Sequence, residues 1–310
     1  QENSEERCRI NFRLAEIYSE LGDFLQAKTF IVRSWILSNF SPDILPLYTN
    51  IHCALNDIAS IREAYKRLGM IESLKGNITE ALKYFNLWQY AFVNHQKIDK
   101  YEYDFDILER IEQMAKPWRF RQYVQSDLSS PRRIRLAYLI FGMSHVNSVL
   151  IKINRIFAKY HDKSRFVITF FVPEICNSQQ SMENIKLFNE YNCDVVAAPG
   201  SKNDLKNLLA VGRQIYNYKP DILVTSALLA ELEHYFIACL RPAPIVVGLL
   251  QGPPPQFTAP CLDWCISWSK HPLIDSPCDC SLLHIGLDLP EVDSVNPYGK
   301  EDLNIPVDSQ

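Results

Sequence analysis

From Arg133 onward the chain repeats one pattern, a short and nearly continuous apolar run followed by a stretch whose apolar residues recur at helical spacing. The apolar runs are RIRLAYLIFG, RFVITFFVP, CDVVAAP, DILVTSA, PIVVGLL and CLDWCISW. Between them lie VNSVLIKINRIFAKYHD, SMENIKLFNEYN, DLKNLLAVGRQIYNYK and LAELEHYFIACL. Strands buried on both faces lose the polar alternation of a half-exposed sheet, so runs of this kind separated by helices predict parallel strands with right-handed crossovers. The expected fold is a Rossmann-like, doubly wound α/β sheet. Ligands of such sheets collect outside the carboxyl ends of the strands. Those ends carry the Phe141-Gly142-Met143-Ser144-His145 loop, Pro199-Gly200-Ser201, Ser226, and a rigid loop from Gln251 to Pro255. Prolines donate no ladder hydrogen bond, so the strand PIVVGLL must stop near Leu250.

The first 117 residues have a different period. Apolar residues keep helical spacing and strand-like runs are absent, which predicts an all-α amino-terminal region. One offset pattern occurs twice. In RLAEIYSELGDFLQAKTFIVRSW it is set by Leu14, Tyr18, Gly22, Phe24, Ala27 and Phe30, and in KRLGMIESLKGNITEALKYFNLW by Leu68, Gly69, Gly76, Ala81 and Phe85. A glycine opens each turn and an alanine lets two helices approach, as in tetratricopeptide hairpins. The segment between the two must form an irregular helical insertion or a degenerate hairpin. A further helix is expected in YEYDFDILERIEQMAKPW, whose Asp104-Phe105-Asp106 suits the acid-favouring start of a helix better than metal binding. The organisation read from these shifts is a tetratricopeptide-like helical domain over 1–117, a linker over 118–132 rich in Pro, Ser and Arg, a Rossmann-like domain over 133–295, and a connecting segment over 296–310.

Lys and Arg total 32 against 36 Asp and Glu, and they are spread along the chain, so no footprint for nucleic acid or anionic lipid is expected. No apolar run reaches the ~20 residues of a membrane span, and the start, QENSEERCRINF, carries no apolar signal segment. The nine cysteines are odd in number and sit mostly in apolar stretches, which suggests reduced thiols and a cytoplasmic location. Cys261, Cys265, Cys278, Cys280 and His271 lack paired CxxC spacing, so no metal is expected. Neither GxGxxG nor GxxxxGK[ST] occurs, and ten glycines is few for a chain of 310. No cofactor is therefore predicted, and a nucleotide would have to be held by other means.

The stretch DILVTSALLAELEHYFIACLRPAPIVVGLLQGPPPQFTAPCLDWCISWSKHPLID resembles the amino-terminal half of the catalytic region of the O-linked N-acetylglucosamine transferase and SPINDLY family, with LRPAPI the most specific phrase. RIRLAYLIFGMSHVNSVL is similar to that family's first strand and the loop after it. The resemblance implies a GT-B glycosyltransferase whose first Rossmann-like domain binds a protein or glycan acceptor, with the nucleotide-sugar donor held mainly by a second domain that this chain lacks. It also implies that the chain is a truncated, inactive fragment, residues 296–310 being the start of the connection. On the same basis His145 is the candidate catalytic residue, as a general base or a group orienting the sugar. Gly142, Ser144, Asn147, Ser226, Gln251, Gly252, Pro253 and Thr258 are candidate substrate-binding residues. Two departures stand out: Ser144 occupies the place of the family's loop histidine, and Pro253 to Pro255 replace small residues that let backbone approach a ligand. The alternatives are a non-catalytic scaffold carrying a degenerate transferase half, and a regulator that binds a small molecule on the sheet. Ser226 also fits a helix cap, and Glu231 a first-turn acid; His234, His271 and His284 have no triad or metal spacing.

Overall fold

The computed structural model describes residues 2–93, 105–123, 132–143, 149–174, 176–198, 200–201, 204–225, 231–250, 261–267 and 281–284. Six helices come first: α1 (Glu2–Glu20), α2 (Phe24–Leu37), α3 (Leu45–Ala54), α4 (Ile58–Leu74), α5 (Ile78–Val93) and α6 (Phe105–Ala115). The two hairpins legible in the sequence are α1–α2 and α4–α5. Their turn glycines, Gly22 and Gly76, have φ of 77° and 81°, in the left-handed region that a side chain enters at a cost. Ala27 and Ala81 are fully buried where the paired helices meet, and Tyr18 stacks on Phe30 at 5.4 Å. At Gly69 a Cβ would stand 2.3 Å from Phe85 Cε1, so α4 and α5 approach at a point open only to glycine.

The intervening segment is one short helix, α3, entered through a 3-10 turn over Pro42–Ile44. With α4 it forms a third turn of the same construction, because Asn56 takes the left-handed position with φ 54°, about one 34-residue tetratricopeptide period after Gly22. The three turns close alike: Asp23, Asp57 and Asn77 each donate their N–H to a carbonyl five residues back, on Tyr18, His52 and Glu72. Asp57 then ties three helices together. It caps α4 through Ser60 N–H and accepts from Lys28 Nζ of α2 at 2.7 Å, while its Oδ2 lies 2.9 Å from His52 Nδ1 of α3. Asp106, in the first turn of α6, pairs with Lys66 at 3.0 Å, in keeping with a helix-start acid; Asp104 lies outside the described residues.

The second half is a seven-stranded parallel sheet of β1 (Ile134–Leu139), β2 (Phe166–Val172), β3 (Asp194–Ala197), β4 (Ile222–Thr225), β5 (Ile245–Leu250), β6 (Trp264–Ser267) and β7 (Ser281–His284). Their order is β3-β2-β1-β4-β5-β6-β7, the doubly wound arrangement that the alternation of strand and helix implies. Strand β5 is described as far as Leu250, and Pro253 to Pro255 lie outside the described residues. Helices α7 (Val149–Tyr160) and α8 (Gln179–Glu190) contribute Ile151, Ala158 and Phe188 to the core on one face, against Tyr138 and Phe170. The other face carries α9 (Leu205–Tyr218) and α10 (Leu232–Cys239), and α5 and α6 of the helical arm join the same apolar core. Arm and sheet are thus packed through one continuous interior.

Two aspartates set the register at the amino edge of the sheet. Asp221, just before β4, accepts from the backbone N–H of Arg135 on β1 at 2.8 Å and holds Arg132 through both carboxylate oxygens at 2.8 and 2.6 Å. Asp263, just before β6, does the same for Val246 N–H on β5 at 2.8 Å, with Arg241 at 3.1 Å. Each also donates its own N–H across the strand pair, to Arg135 and Val246 carbonyls at 2.9 Å. The arginine of the LRPAPI phrase is therefore a structural pin: with φ 55°, it turns its guanidinium onto the carbonyls of Cys261 and Pro244 as well as onto Asp263.

Burial raises the Asp57 carboxyl, but the hydrogen bonds from Lys28, Ser60 and His52 outweigh it and hold the group well below the usual carboxylate range. A depressed pKa contributes stability that is complete above the unfolded value, near 3.9, and lost as pH falls through the folded one. Urea midpoints measured against pH should therefore drop for the wild type below about pH 4. Asp57→Asn should cost about 1–2 kcal/mol at neutral pH, with the gap to wild type closing as acid is added. Asp221→Ala removes the partner of a buried backbone N–H and of Arg132 together, and equilibrium unfolding should show a loss of about 3 kcal/mol.

Candidate functional site

In a sheet of this order the connections change direction between β1 and β4, which opens a crevice at the carboxyl ends of those strands. The loop after β1 is fixed before it reaches the crevice. Gly142 has φ 82°, and the N–H groups of Gly142 and Met143 both donate to Glu174 Oε1, at 3.0 and 2.9 Å, from the segment after β2. Asn184 of α8 donates to the Met143 carbonyl at 2.8 Å. The turn that launches the Ser144-His145 segment is clamped from two neighbouring elements.

Across the crevice β4 ends at Thr225, which is fully buried and whose Oγ1 has no hydrogen-bond partner among the described residues. Helix α10 begins here, and all eight of its residues are buried. Its N-cap, Glu231, has an extended backbone and makes no capping bond with its side chain. The cap comes from the arm: Asn86 of α5 accepts from the Leu232 N–H at 3.1 Å and points its amide nitrogen at both oxygens of Glu233, each 2.8 Å away. Tyr90, one turn further along α5, donates to Glu231 Oε1 at 3.4 Å. Burial, together with the charges of Glu231 and Glu233, pushes the Tyr90 phenol up to about 12, so it stays a proton donor at any physiological pH. His234 is buried and lies edge-on to Phe141 at 5.7 Å, linking α10 to the loop after β1.

The carboxyl edge therefore brings together residues from both halves of the chain. Two carboxylates, a phenol, a buried hydroxyl and an imidazole gather around the end of β4 and the start of α10, with Thr225, Glu231, Glu233 and His234 buried and both Glu233 oxygens engaged by Asn86. Among the described residues no group of His, Cys, Asp and Glu has the makings of a metal site. The seven described cysteines form no disulfide, and burial pushes the Cys176 thiol up to about 11 and that of Cys261 upward as well. Of the candidate residues from the sequence, Gly142 stands at the crevice, its N–H engaged by Glu174. Ser144, His145, Asn147, Ser226, Gln251, Gly252, Pro253 and Thr258 lie outside the described residues, as do His271, Cys278 and Cys280. Glu231 is the N-cap residue of α10. Asn86, Tyr90, Glu174 and Glu233 were not picked out by sequence reasoning. The signal for Glu231, Glu233 and His234 was present, as polar residues set inside the otherwise apolar LLAELEHYFIACL; Asn86 and Tyr90 gave none.

No protein-family model and no curated protein matches the sequence. Among solved structures the chain is similar to an O-GlcNAc transferase of Thermobaculum terrenum, solved as a point mutant, at 12% identity and a TM-score of 0.45. The similarity covers 91% of this chain and 58% of the transferase, so the chain spans less than two thirds of that protein's length. No helix among the described residues is long and apolar enough to cross a membrane.

Asn86→Ala should uncap α10 and leave Glu233 buried without its amide partner. Urea unfolding followed by circular dichroism should report a loss of about 3 kcal/mol, because an orphaned N–H and an under-satisfied buried carboxylate add.

Proposed function

We propose that the chain is the acceptor-side part of a sugar transferase, in which the helical arm and the parallel sheet together hold a protein or glycan acceptor whose hydroxyl attacks a nucleotide sugar. The observation that carries this reading is the arm's contribution to the crevice. Asn86 and Tyr90 of α5 reach the start of α10, which supports a reading in which the helices would bind the acceptor and the sheet would carry the chemistry along one edge. The phrases LRPAPI, QGPPPQFT and LDWCIS, similar to those of O-linked N-acetylglucosamine transferases, supply the reaction class. In that reaction the acceptor oxygen bonds to the anomeric carbon with inversion, the bond from that carbon to the nucleoside diphosphate breaks, and the hydroxyl proton passes to a base. His145, in the segment after the clamped Gly142-Met143 turn, is the proposed base, and the diphosphate's charge would be stabilised by a second domain. The protein is proposed to act in the cytoplasm and to need neither metal nor other cofactor.

A non-catalytic scaffold is the second reading. It is favoured by Pro253 to Pro255, which deny the loop after β5 the close backbone approach that small residues allow.

The test is transfer of labelled sugar from a panel of uridine and guanosine diphosphate sugars to protein and glycan acceptors, using the protein encoded by its whole native reading frame. Transfer that drops by about 10²-fold or more in His145→Ala, with the fold intact, is the expected result. Undiminished turnover in that variant would remove His145 as the base. Absence of transfer and hydrolysis with every donor, alongside retained protein binding by the arm, would replace the enzyme with the scaffold.

A further inference from the structure

On the outer side of α9, away from the crevice, the chain leaving α6 folds back and encloses a groove of about 640 Å³. One wall is the connector Pro117–Arg121, and the other is a single stripe of α9 in which Lys206, Leu209, Ala210, Arg213 and Tyr216 follow at helical spacing. The connector is seated firmly. The Phe120 N–H donates to the Leu240 carbonyl at 2.9 Å, its ring stacks on Tyr216 at 4.7 Å, and it packs over Gly212, where a Cβ would come within 3.3 Å of it. Arg119 is held by the Cys239 carbonyl at 3.1 Å and by Glu112. The groove is a formed feature of the surface.

Its chemistry is one-sided. Four cationic residues, Arg119, Arg121, Lys206 and Arg213, line it and no carboxylate does, although acids outnumber bases in the chain as a whole. Arg119 is neutralised by Glu112, and Arg213 lies over the Phe120 ring at 4.8 Å. Arg121 and Lys206 are exposed and form no salt bridge among the described residues. The floor is aromatic and apolar, with Trp118 38% exposed. Segregated positive charge over an exposed indole costs self-repulsion and exposed apolar area, and both costs are relieved by a ligand that carries acidic and aromatic groups together.

We infer that this groove docks an acidic peptide segment of a partner protein, with an aromatic or aliphatic side chain against Trp118 and carboxylates toward Arg121, Lys206 and Arg213. A peptide fits better than nucleic acid, because the positive charge is confined to one short groove on a chain of net charge −4, with no extended stripe for a phosphate backbone to follow. The run from Lys206 to Tyr216 is about 15 Å at helical rise, the length of four or five extended residues. Lys206 lies toward the carboxyl edge of the sheet, since α9 is entered after β3, so a bound segment would lead toward the crevice. The inference concerns binding and stands whether or not sugar transfer is found.

The experiment measures fluorescence anisotropy of a labelled peptide of alternating aspartate and phenylalanine on the full chain at low ionic strength. The comparison probes are its asparagine–phenylalanine counterpart, a single-stranded oligothymidine and ATP. Saturable binding of the acidic peptide is expected, weakened about tenfold or more by the double variant Arg121→Glu/Lys206→Glu, weakened by Trp118→Ala, and reduced as salt is raised. These side chains are exposed, so the variants should keep the wild-type unfolding midpoint, which is checked in parallel. No saturable binding, binding unchanged by the charge reversals, equal binding of the neutral counterpart, or tighter binding of oligothymidine or ATP would each overturn the proposal.

Discussion

Helix α10 is the member on which the rest of the structure hangs. Every one of its eight residues is enclosed, with the sheet on one side and α5, α6 and α9 around it. A buried helix start cannot leave its N–H groups to water, and Glu231 does not cap it. The cap is imported from α5 through Asn86, and that single amide ties the arm to the sheet at the carboxyl edge. The same burial accounts for the site. Asn86 spans both oxygens of the buried Glu233, and Glu231 is met by the Tyr90 phenol. Removing the arm would expose an apolar helix and take Asn86 and Tyr90 away from two buried carboxylates, so the arm is part of the sheet's own stability.

The two edges of the sheet have divided tasks. At the amino edge Asp221 and Asp263 each combine a cross-strand backbone bond with an arginine, fixing where β4 and β6 meet their neighbours. A one-residue slip there would exchange the two faces of the sheet, each of which is buried against different helices, so the pins are placed where an error would cost most. At the carboxyl edge the start of the segment after β1 is held from the side, as Glu174 accepts from the N–H groups of Gly142 and Met143. The LRPAPI phrase falls on the first of these edges. Its arginine secures the fold, through Asp263 and the carbonyls of Cys261 and Pro244.

Much of this was legible in the chain. Parallel strands buried on both faces read as continuous apolar runs, and β1 to β6 fall within the runs identified. Gly22 and Gly76 marked two turns because glycine is the residue that takes positive φ freely. The third turn was hidden because Asn56 fills the same position, and β7 because four residues, SLLH, are too few to carry a period. The candidate site was half legible. Acids in an apolar helix are conspicuous, whereas Asn86 and Tyr90 look like ordinary surface polar residues until α5 is laid against α10.

What the sequence alone determined was local and periodic: helical hairpins first, then strands and helices in alternation, with β5 ended before its prolines. Those features follow from backbone sterics and from which faces must be apolar, and both are written in neighbouring residues. What only the tertiary structure decided was which distant groups satisfy one another. Asn86 and Glu233 lie 147 residues apart, and nothing in either neighbourhood specifies the other. Their meeting is settled by the packing of the arm onto the sheet, because a buried carboxylate and an uncapped helix start must find partners wherever the fold brings them within reach.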